Sequence, residues 1–370
     1  MSPIQGANLD GNGIPQNEIK FSQIEAEFGR HPGSNNRSIG NYCISENFGS
    51  LTDVRLDTII YKNANTPIPG PKGQQVKFSD FYNAKLNVAV DLWSGDTEER
   101  AHAKTLFKNK TVKVLGPTPD ADVPTWQQME GRRVIIHVNK TIKSESNDTR
   151  SVCALRTGAW KSGTKVDLDI GSSARIYGAG GFGGRGGNNN KEDGLEGGNG
   201  NSAIGIQHDG TVVRVMSGAY VQCGYGGGGG GGGGYHSDKG GSERCAGSGG
   251  GGGAGLPAGA GGKGGESSKT DGKNGSNATK TVHGTGGARV SEGSARGGKG
   301  GNGGDRNNAA EGGESGVGGG GEAEGATSSA GGSGGNNGAA IRRTSSVNWS
   351  YAPGHPLGTV HGSTSATGVT

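Results

Sequence analysis

Large apolar side chains are scarce in this sequence. Hydrophobic residues fill 29% of the 370 positions and aromatic residues 5%. No stretch approaches the ~18 consecutive apolar residues of a membrane-spanning helix, which excludes that class. The opening Met1-Ser-Pro-Ile-Gln-Gly6 carries neither a basic nor an apolar run, so no secretory signal peptide is expected. The four cysteines, Cys43, Cys153, Cys223 and Cys245, are too few and scattered for a disulfide scaffold, and none forms a CxxC pair. Charge of one sign is also missing. Thirty-seven basic residues against 33 acidic give a net charge of +4, too little to draw the chain to nucleic acid or an anionic membrane.

Glycine takes the place of what is missing, with 82 residues. They are unevenly spread. Residues 1–177 have an ordinary composition, whereas 178–340 are dominated by Gly, Ser, Asn and Ala. Between Pro257 and Ala340 the large apolar residues are Val282, Val290 and Val317, so a side-chain core cannot form there. A glycine at every third position never persists beyond short tracts, which excludes a collagen triple helix.

Within residues 1–90, Ile19-Lys-Phe-Ser-Gln-Ile-Glu-Ala-Glu-Phe-Gly29 and Val76-Lys-Phe-Ser-Asp-Phe-Tyr82 share a pattern. A strand-like apolar pair leads into a serine placed to cap a short helix, which predicts a small α+β module. Within 91–177, Asp96–Phe107 runs from acidic to basic residues and predicts a helix aligned with its own dipole. Strands are expected at 111–115, 132–139, 151–156, 165–170 and 175–177. Val134, Ile136 and Val138 alternate with their neighbours, as do Val166, Leu168 and Ile170, the period of a half-buried strand. On this reading Asp167 and Asp169 form a solvated face and His137 is a strand-face histidine. No carboxylate pair, metal-ligand spacing or nucleophile stands out, so catalytic residues, metals and cofactors are all assigned as none.

A repeat crosses the composition boundary. Residues 168–181 align with 213–226 at an offset of 45, so that Leu168 matches Val213, Ile170 Val215, Ala174 Ala219 and Ile176 Val221. Repeats of this length imply stacked units; two copies do not suggest a long solenoid. The glycine tracts beyond have two physical options. One is disorder, the default for Gly/Ser-rich chain. The other is a bundle of polyproline-II-type helices whose main chains bond one another across glycine-lined contacts. The second predicts Gly-Gly-x at period three, which Gly180–Gly187 and Gly297–Asp305 follow, beside an uninterrupted run at Gly226–Gly234. The fold class expected is therefore mainly β with irregular structure. Residues 1–90 form the α+β module, 91–177 a short-stranded β domain, 178–340 the polyglycine bundle with variable loops, and 341–370 a closing strand segment and tail.

The paired N-terminal motifs resemble the N-terminal segments of tail proteins from tailed bacteriophages. The succession of strand, Gly226–Gly234, polar Tyr235–Lys239 and Gly249–Gly253 resembles the polyglycine-rich domains of phage tail-tip proteins. These include the adhesins that cap long tail fibres and the ends of some host-specificity tip proteins. The closing Gly338-Ala-Ala-Ile-Arg-Arg-Thr-Ser-Ser-Val-Asn-Trp349 is similar to the latter. The resemblance implies a virion tail protein assembled in the host cytoplasm. Its N-terminal module would join other tail or baseplate proteins, and its loops would meet a host surface glycan or outer-surface protein. A homo-oligomer, a trimer before a monomer, is implied, with no nucleic-acid partner and no enzymatic activity. A purely structural tail adaptor or spike is the alternative.

Carried over by position, the receptor loops are 188–196, 235–244, 266–280 and 306–315. Tyr225, Tyr235 and His236 are the candidate contacts, with Asp238, Lys239, Asn189, Lys191, Lys273 and Asn274 beside them. Tyrosine offers rigid area and a hydrogen bond. Gly178–Gly183 satisfies GxGxxG, but glycine continues where a dinucleotide site needs a helix. The Arg-Gly-Gly triplets at 185 and 296 are too few for an RNA-binding segment. Cys223 and Cys245 flank the long tract as either a disulfide or two thiols.

Overall fold

A computed structural model describes residues 60–62, 66–67, 84–86, 88–92, 101–103, 113–114, 133–145, 149–188, 192–238, 241–312, 314 and 327–369. The paired motifs at 19–29 and 76–82 lie outside them. The described chain is mainly β, as expected.

Three parallel sheets wind together as a solenoid. The first sheet stacks Val88–Leu92, Arg133–Val138, Lys165–Ile170, Thr211–Val215 and Trp349–Tyr351, each parallel to the next. The second stacks Thr141–Lys143, Arg175–Tyr177, Tyr220–Gln222 and Thr359–His361. The third stacks Ala101–His102, Cys153–Arg156, Ser202–Ile206, Ile341–Arg343 and Ala366–Thr367. From Arg133 onward, one turn of the chain visits each sheet once, and the next turn lies on it in register; the turn before, with Val88–Leu92 and Ala101–His102, has described strands in the first and third sheets. Lys113–Val114 closes the outer edge of the first sheet by pairing antiparallel with Val88–Leu92.

The register explains the core. Ile136, Leu168 and Val213 face one another in the first sheet, Ile142, Ile176 and Val221 in the second, and Leu155, Ile204 and Ile341 in the third. All nine are fully buried in one cluster. Branched residues suit such ladders because each packs on a like residue one turn away. The 45-residue repeat is one turn of this solenoid, since Leu168 pairs with Val213 and Ile176 with Val221. Successive turns continue on both sides of the two copies, so the repeat belongs to a longer stack than two units suggested.

Two readings from the middle region are corrected. Asp167 and Asp169 are 4% and 2% exposed, and His137 is 2% exposed. Asp167 pairs with Arg133 and lies 3.6 Å from Arg214, which is 3.0 Å from Asp169. This outer face is therefore a covered ionic layer, and burial pushes the Asp167 carboxyl up despite both arginines. In the predicted helix at 96–107, Ala101–His102 is a strand of the third sheet, paired with Leu155 and Arg156, while Ala103 is helical and the other positions lie outside the described residues. Burial of Ala101 against the stack overrides the local charge pattern.

The glycine-rich chain leaves the solenoid at one corner in two successive turns. In one turn residues 178–201 separate Arg175–Tyr177 from Ser202–Ile206. In the next, residues 223–340 separate Tyr220–Gln222 from Ile341–Arg343. The three sheets thus run through the composition boundary at 177/178 and on to residue 367.

Candidate functional site

Outside the solenoid, main chain bonds to main chain at intervals of three residues. Gly181, Gly184 and Gly187 donate to the carbonyls of Tyr225, Gly228 and Gly231. Gly194, Gly197 and Gly200 donate to those of Ala330, Ser333 and Asn336. The nine-glycine tract is the most heavily bonded. Gly227 and Gly230 donate to Gly198 and Leu195 and accept from Gly335 and Gly332. Gly228 and Gly231 donate to Gly251 and Ser248 and accept from Gly184 and Gly187. Gly229 and Gly232 donate to Glu311 and Glu314 and accept from Gly301 and Gly298. Each of the three residue classes thus meets two neighbouring tracts, six in all. Residues 247–253 are surrounded in the same way.

This enclosure accounts for the sequence. A Cβ built at Gly229 would overlap the carbonyl oxygen of Gly332, one at Gly228 that of Gly301, and one at Gly230 that of Arg185. A tract enclosed on every side is glycine almost throughout; the buried Ser248, near the start of the second such tract, is the exception and turns its hydroxyl to the Ala288 carbonyl. A tract at the edge needs glycine at two positions of three and turns the third outward, as with Phe182 and Leu195, which are 48% and 52% exposed. The main-chain bonds between tracts offset the entropy lost on ordering glycine.

The array has two ends. At the solenoid end, Gly178 donates to Gln222, Gly224 to Asn201, Gly338 to Gly224 and Leu256 to Gly178. At the far end the tracts turn back through four connections with described residues. Gly234–Asp238 and Gly241–Cys245 form a hairpin, joined by Thr327–Ser328. Ser291–Glu292 and Ala295–Arg296 form a second. Residues 266–271 and the link between Asn188 and Glu192 complete the set.

These connections hold one another. The Glu243 carboxylate accepts from the Ser294 and Ala295 amides, the former at 2.5 Å. Thr270 Oγ1 donates to Glu292 at 2.8 Å, and the Glu266 amide to Asn188 Oδ1 at 2.8 Å. Cys245, Val290 and Ala295 make a small apolar core beneath. Arg244 lies over the Tyr235 ring, 5.4 Å from its centroid. The hydroxyl of Ser242, 3.5 Å from that of Tyr235, holds the tyrosine phenol below its usual pKa.

The candidate contacts are distributed as follows. Tyr235 is half-buried on the hairpin at the far end, and Asp238 ends its first strand. His236 is on the same strand but 5% exposed, with no partner for Nδ1. Tyr225 lies at the opposite end, 5% exposed and packed on Cys223 and Ala254, which makes it a packing group. Lys273 and Asn274 are exposed but belong to a tract: the Lys273 carbonyl accepts from Gly249, and Asn274 Oδ1 accepts from Gly264 at 2.8 Å. Asn189, Lys191 and Lys239 lie outside the described residues. Residues 306–310 and 277–280 stand at the solenoid end, away from Tyr235. Sequence reasoning passed over the hairpin at 291–296; its one signal is Gly293, at φ +55°.

Cys223 and Cys245 are separate thiols at opposite ends of the nine-glycine tract; neither they nor the buried Cys153 are in a disulfide. Burial pushes the Cys223 thiol up to about 12 and raises that of Cys245. Iodoacetamide at pH 8 is therefore expected to leave Cys153, Cys223 and Cys245 unlabelled until the chain is denatured. Peptide mass spectrometry reads this directly; labelling of Cys223 in the native protein would contradict the packing described.

The described residues contain no group of three or more side chains suited to holding a metal ion. The family model of the phage tail fibre adhesin Gp38 matches residues 120–365. The chain belongs to that family, and so is a component of the phage tail. No curated protein matches it. Among solved structures, a chain in the crystal structure of the gp37-gp38 adhesin tip complex of the bacteriophage S16 long tail fiber is similar at 18% identity. The match covers 78% of this chain and 88% of that one, with a TM-score of 0.29.

Proposed function

We propose that this adhesin binds the host cell surface through the loop cluster at the far end of its glycine array. The array serves as a bundle of polyproline-II-type helices. What supports that assignment is the three-residue period of its bonds and the absence of bonding within a tract. Residues 1–90 are the attachment module that joins the chain to other tail proteins. The ligand is a surface glycan or an outer-surface protein, and weak single contacts add up when several copies act together.

The observation that carries the reading is that several connections, distant in sequence, meet at the end opposite the solenoid. There they present Tyr235 and Arg244 on a frame braced by Glu243, Thr270 and Glu292. Aromatic and arginine side chains on a rigid support are the usual centres of binding energy. Of the residues assigned from sequence, Tyr235 fits this surface best, with Asp238 at the end of its strand.

Replacing residues 235–244 by a Gly/Ser segment of equal length is expected to slow adsorption of assembled particles at least ten-fold. Phe182→Ala, on the side of the array, is expected to leave it unchanged. Particles that assemble with the replaced hairpin and adsorb at the parental rate would make the chain a structural tail part without receptor contact.

A further inference from the structure

A recess lies at the opposite end of the array, where the glycine tracts meet the solenoid. It is a cleft of about 430 Å³, lined in part by Arg150, Tyr225, Arg306, Asn308, Asn337 and His361. These residues come from the solenoid, from both ends of the long insertion and from the loop at 305–309. The size suits one or two sugar rings.

Its polar groups are only partly used. Arg306 is exposed and has no hydrogen-bond or ion-pair partner among the described residues. Arg150 spends Nε on the Asn337 carbonyl at 2.9 Å, which leaves the ends of its guanidinium to the cleft. Asn337 accepts from the Gly226 amide through Oδ1, so its amide NH₂ remains. Asn308 donates through Nδ2 to Asp305, so its side-chain Oδ1 remains. His361 Nε2 is buried and has no partner, an expensive state for a polar atom unless a ligand or water meets it.

The one carboxylate on the wall does not neutralise these cations. Asp305 Oδ2 is 2.6 Å from His283 Nδ1, and Oδ1 accepts from the Asn307 and Asn308 amides at 2.8 and 3.0 Å. Its charge is spent on its own loop and on His283. The floor is uncharged: burial raises both the Tyr225 phenol and the Cys223 thiol, and burial together with Arg306 lowers His361. The cleft therefore offers the Arg306 guanidinium and the ends of that of Arg150 above a neutral floor of Tyr225 and Cys223, with amide donors and acceptors beside them. A small inorganic anion would use the guanidiniums alone; an acidic sugar uses every group.

We infer that this junction cleft binds a sugar unit carrying a carboxylate or a phosphate, at a site separate from the loop cluster at the far end. Arg306 and Arg150 hold the anionic group, while Asn308, Asn337 and His361 meet the ring hydroxyls. The inference does not depend on what the far loops bind.

Titration calorimetry on the full chain tests it, with glucuronate, glucose 6-phosphate, inorganic phosphate and glucose as probes. Glucuronate or glucose 6-phosphate is expected to bind at least ten-fold more tightly than glucose or phosphate, and whichever binds better tells a carboxylate site from a phosphate site. Arg306→Ala and Arg150→Ala should each weaken that binding ten-fold or more. Arg244→Ala, at the far end, should leave it unchanged. Equal affinity for inorganic phosphate and glucose 6-phosphate would reduce the site to an anion hole and overturn the sugar assignment. Absence of binding, or binding untouched by both cleft variants, would overturn the site itself.

Discussion

Gly229→Ala is expected to unfold the glycine array. The added methyl has no side chain to push aside. It would overlap the carbonyl oxygen of Gly332, whose own amide is bonded to Gly230. On the other faces, Gly229 donates to Glu311 and accepts from Gly301, so its tract cannot shift without breaking bonds to several neighbours. Overpacking an ordinary core costs about 1–3 kcal/mol because side chains and backbone share the strain. Here backbone must absorb all of it, so a loss above about 3 kcal/mol is expected. In a domain of this size that lowers the melting temperature by about 6–12 °C. Amide exchange would speed up across 226–234 and 247–253 together. Phe182→Ala, at an outward position, is the control and should stay within about 0.5 kcal/mol. A Gly229→Ala protein melting within 2 °C (roughly 0.5–1 kcal/mol) of its parent would refute the packing of the array.

Leu168→Ala tests the other half of the molecule. Leu168 is fully buried and stacked between Ile136 and Val213, one turn of the solenoid on either side. Truncating it removes contacts on both sides and leaves a cavity that ladders of hydrogen-bonded strands cannot collapse to fill. Such substitutions cost about 2–5 kcal/mol, and the rigidity of stacked strands places this one in the upper half of that range. Leu357→Ala, at a leucine 58% exposed, should change stability by less than about 0.5 kcal/mol. Chemical denaturation of the two variants side by side decides the matter. Equal midpoints would mean that the inward register of Lys165–Ile170 is wrong.

The residues that announced the fold were those whose neighbours in space are also regular in sequence. Leu168 and Val213 sit 45 positions apart because one turn of the solenoid there is 45 residues long, and Ile176 and Val221 repeat the same step. The third strand hid the stack: Ile204 pairs with Ile341, displaced by the long insertion. The preceding turn has a different length, since Ile136 pairs with Leu168, so no single period marks the whole stack. Asp167 and Asp169 misled because alternation identifies two faces of a strand but not what covers the outer one. The glycine region was legible to the level of individual tracts. Gly-Gly-x marks an edge and Gly226–Gly234 a centre, because the number of neighbours sets how many positions in three must lack a side chain.

The candidate surface was legible only in part. Tyr235 and the hairpin around it stood out as an aromatic, polar interruption between two tracts. Which loops share an end depends on the direction and length of every tract between them. That is why Tyr225 and residues 306–310, chosen on the same composition, fall at the solenoid end. Arg244, Glu243 and Glu292 acquire their roles through contacts between connections distant in sequence.

The corner at which the glycine-rich chain leaves the solenoid has a genetic consequence. Chain departs and returns beside the same stacked strands, so the whole outgrowth hangs on two adjacent pairs of splice points, near 178 and 201 and near 223 and 340. Recombination at those points can exchange the outgrowth as a cassette while every strand ladder keeps its partners. If the far loops bind the host as proposed, host range would then change by wholesale transplantation as well as by point mutation.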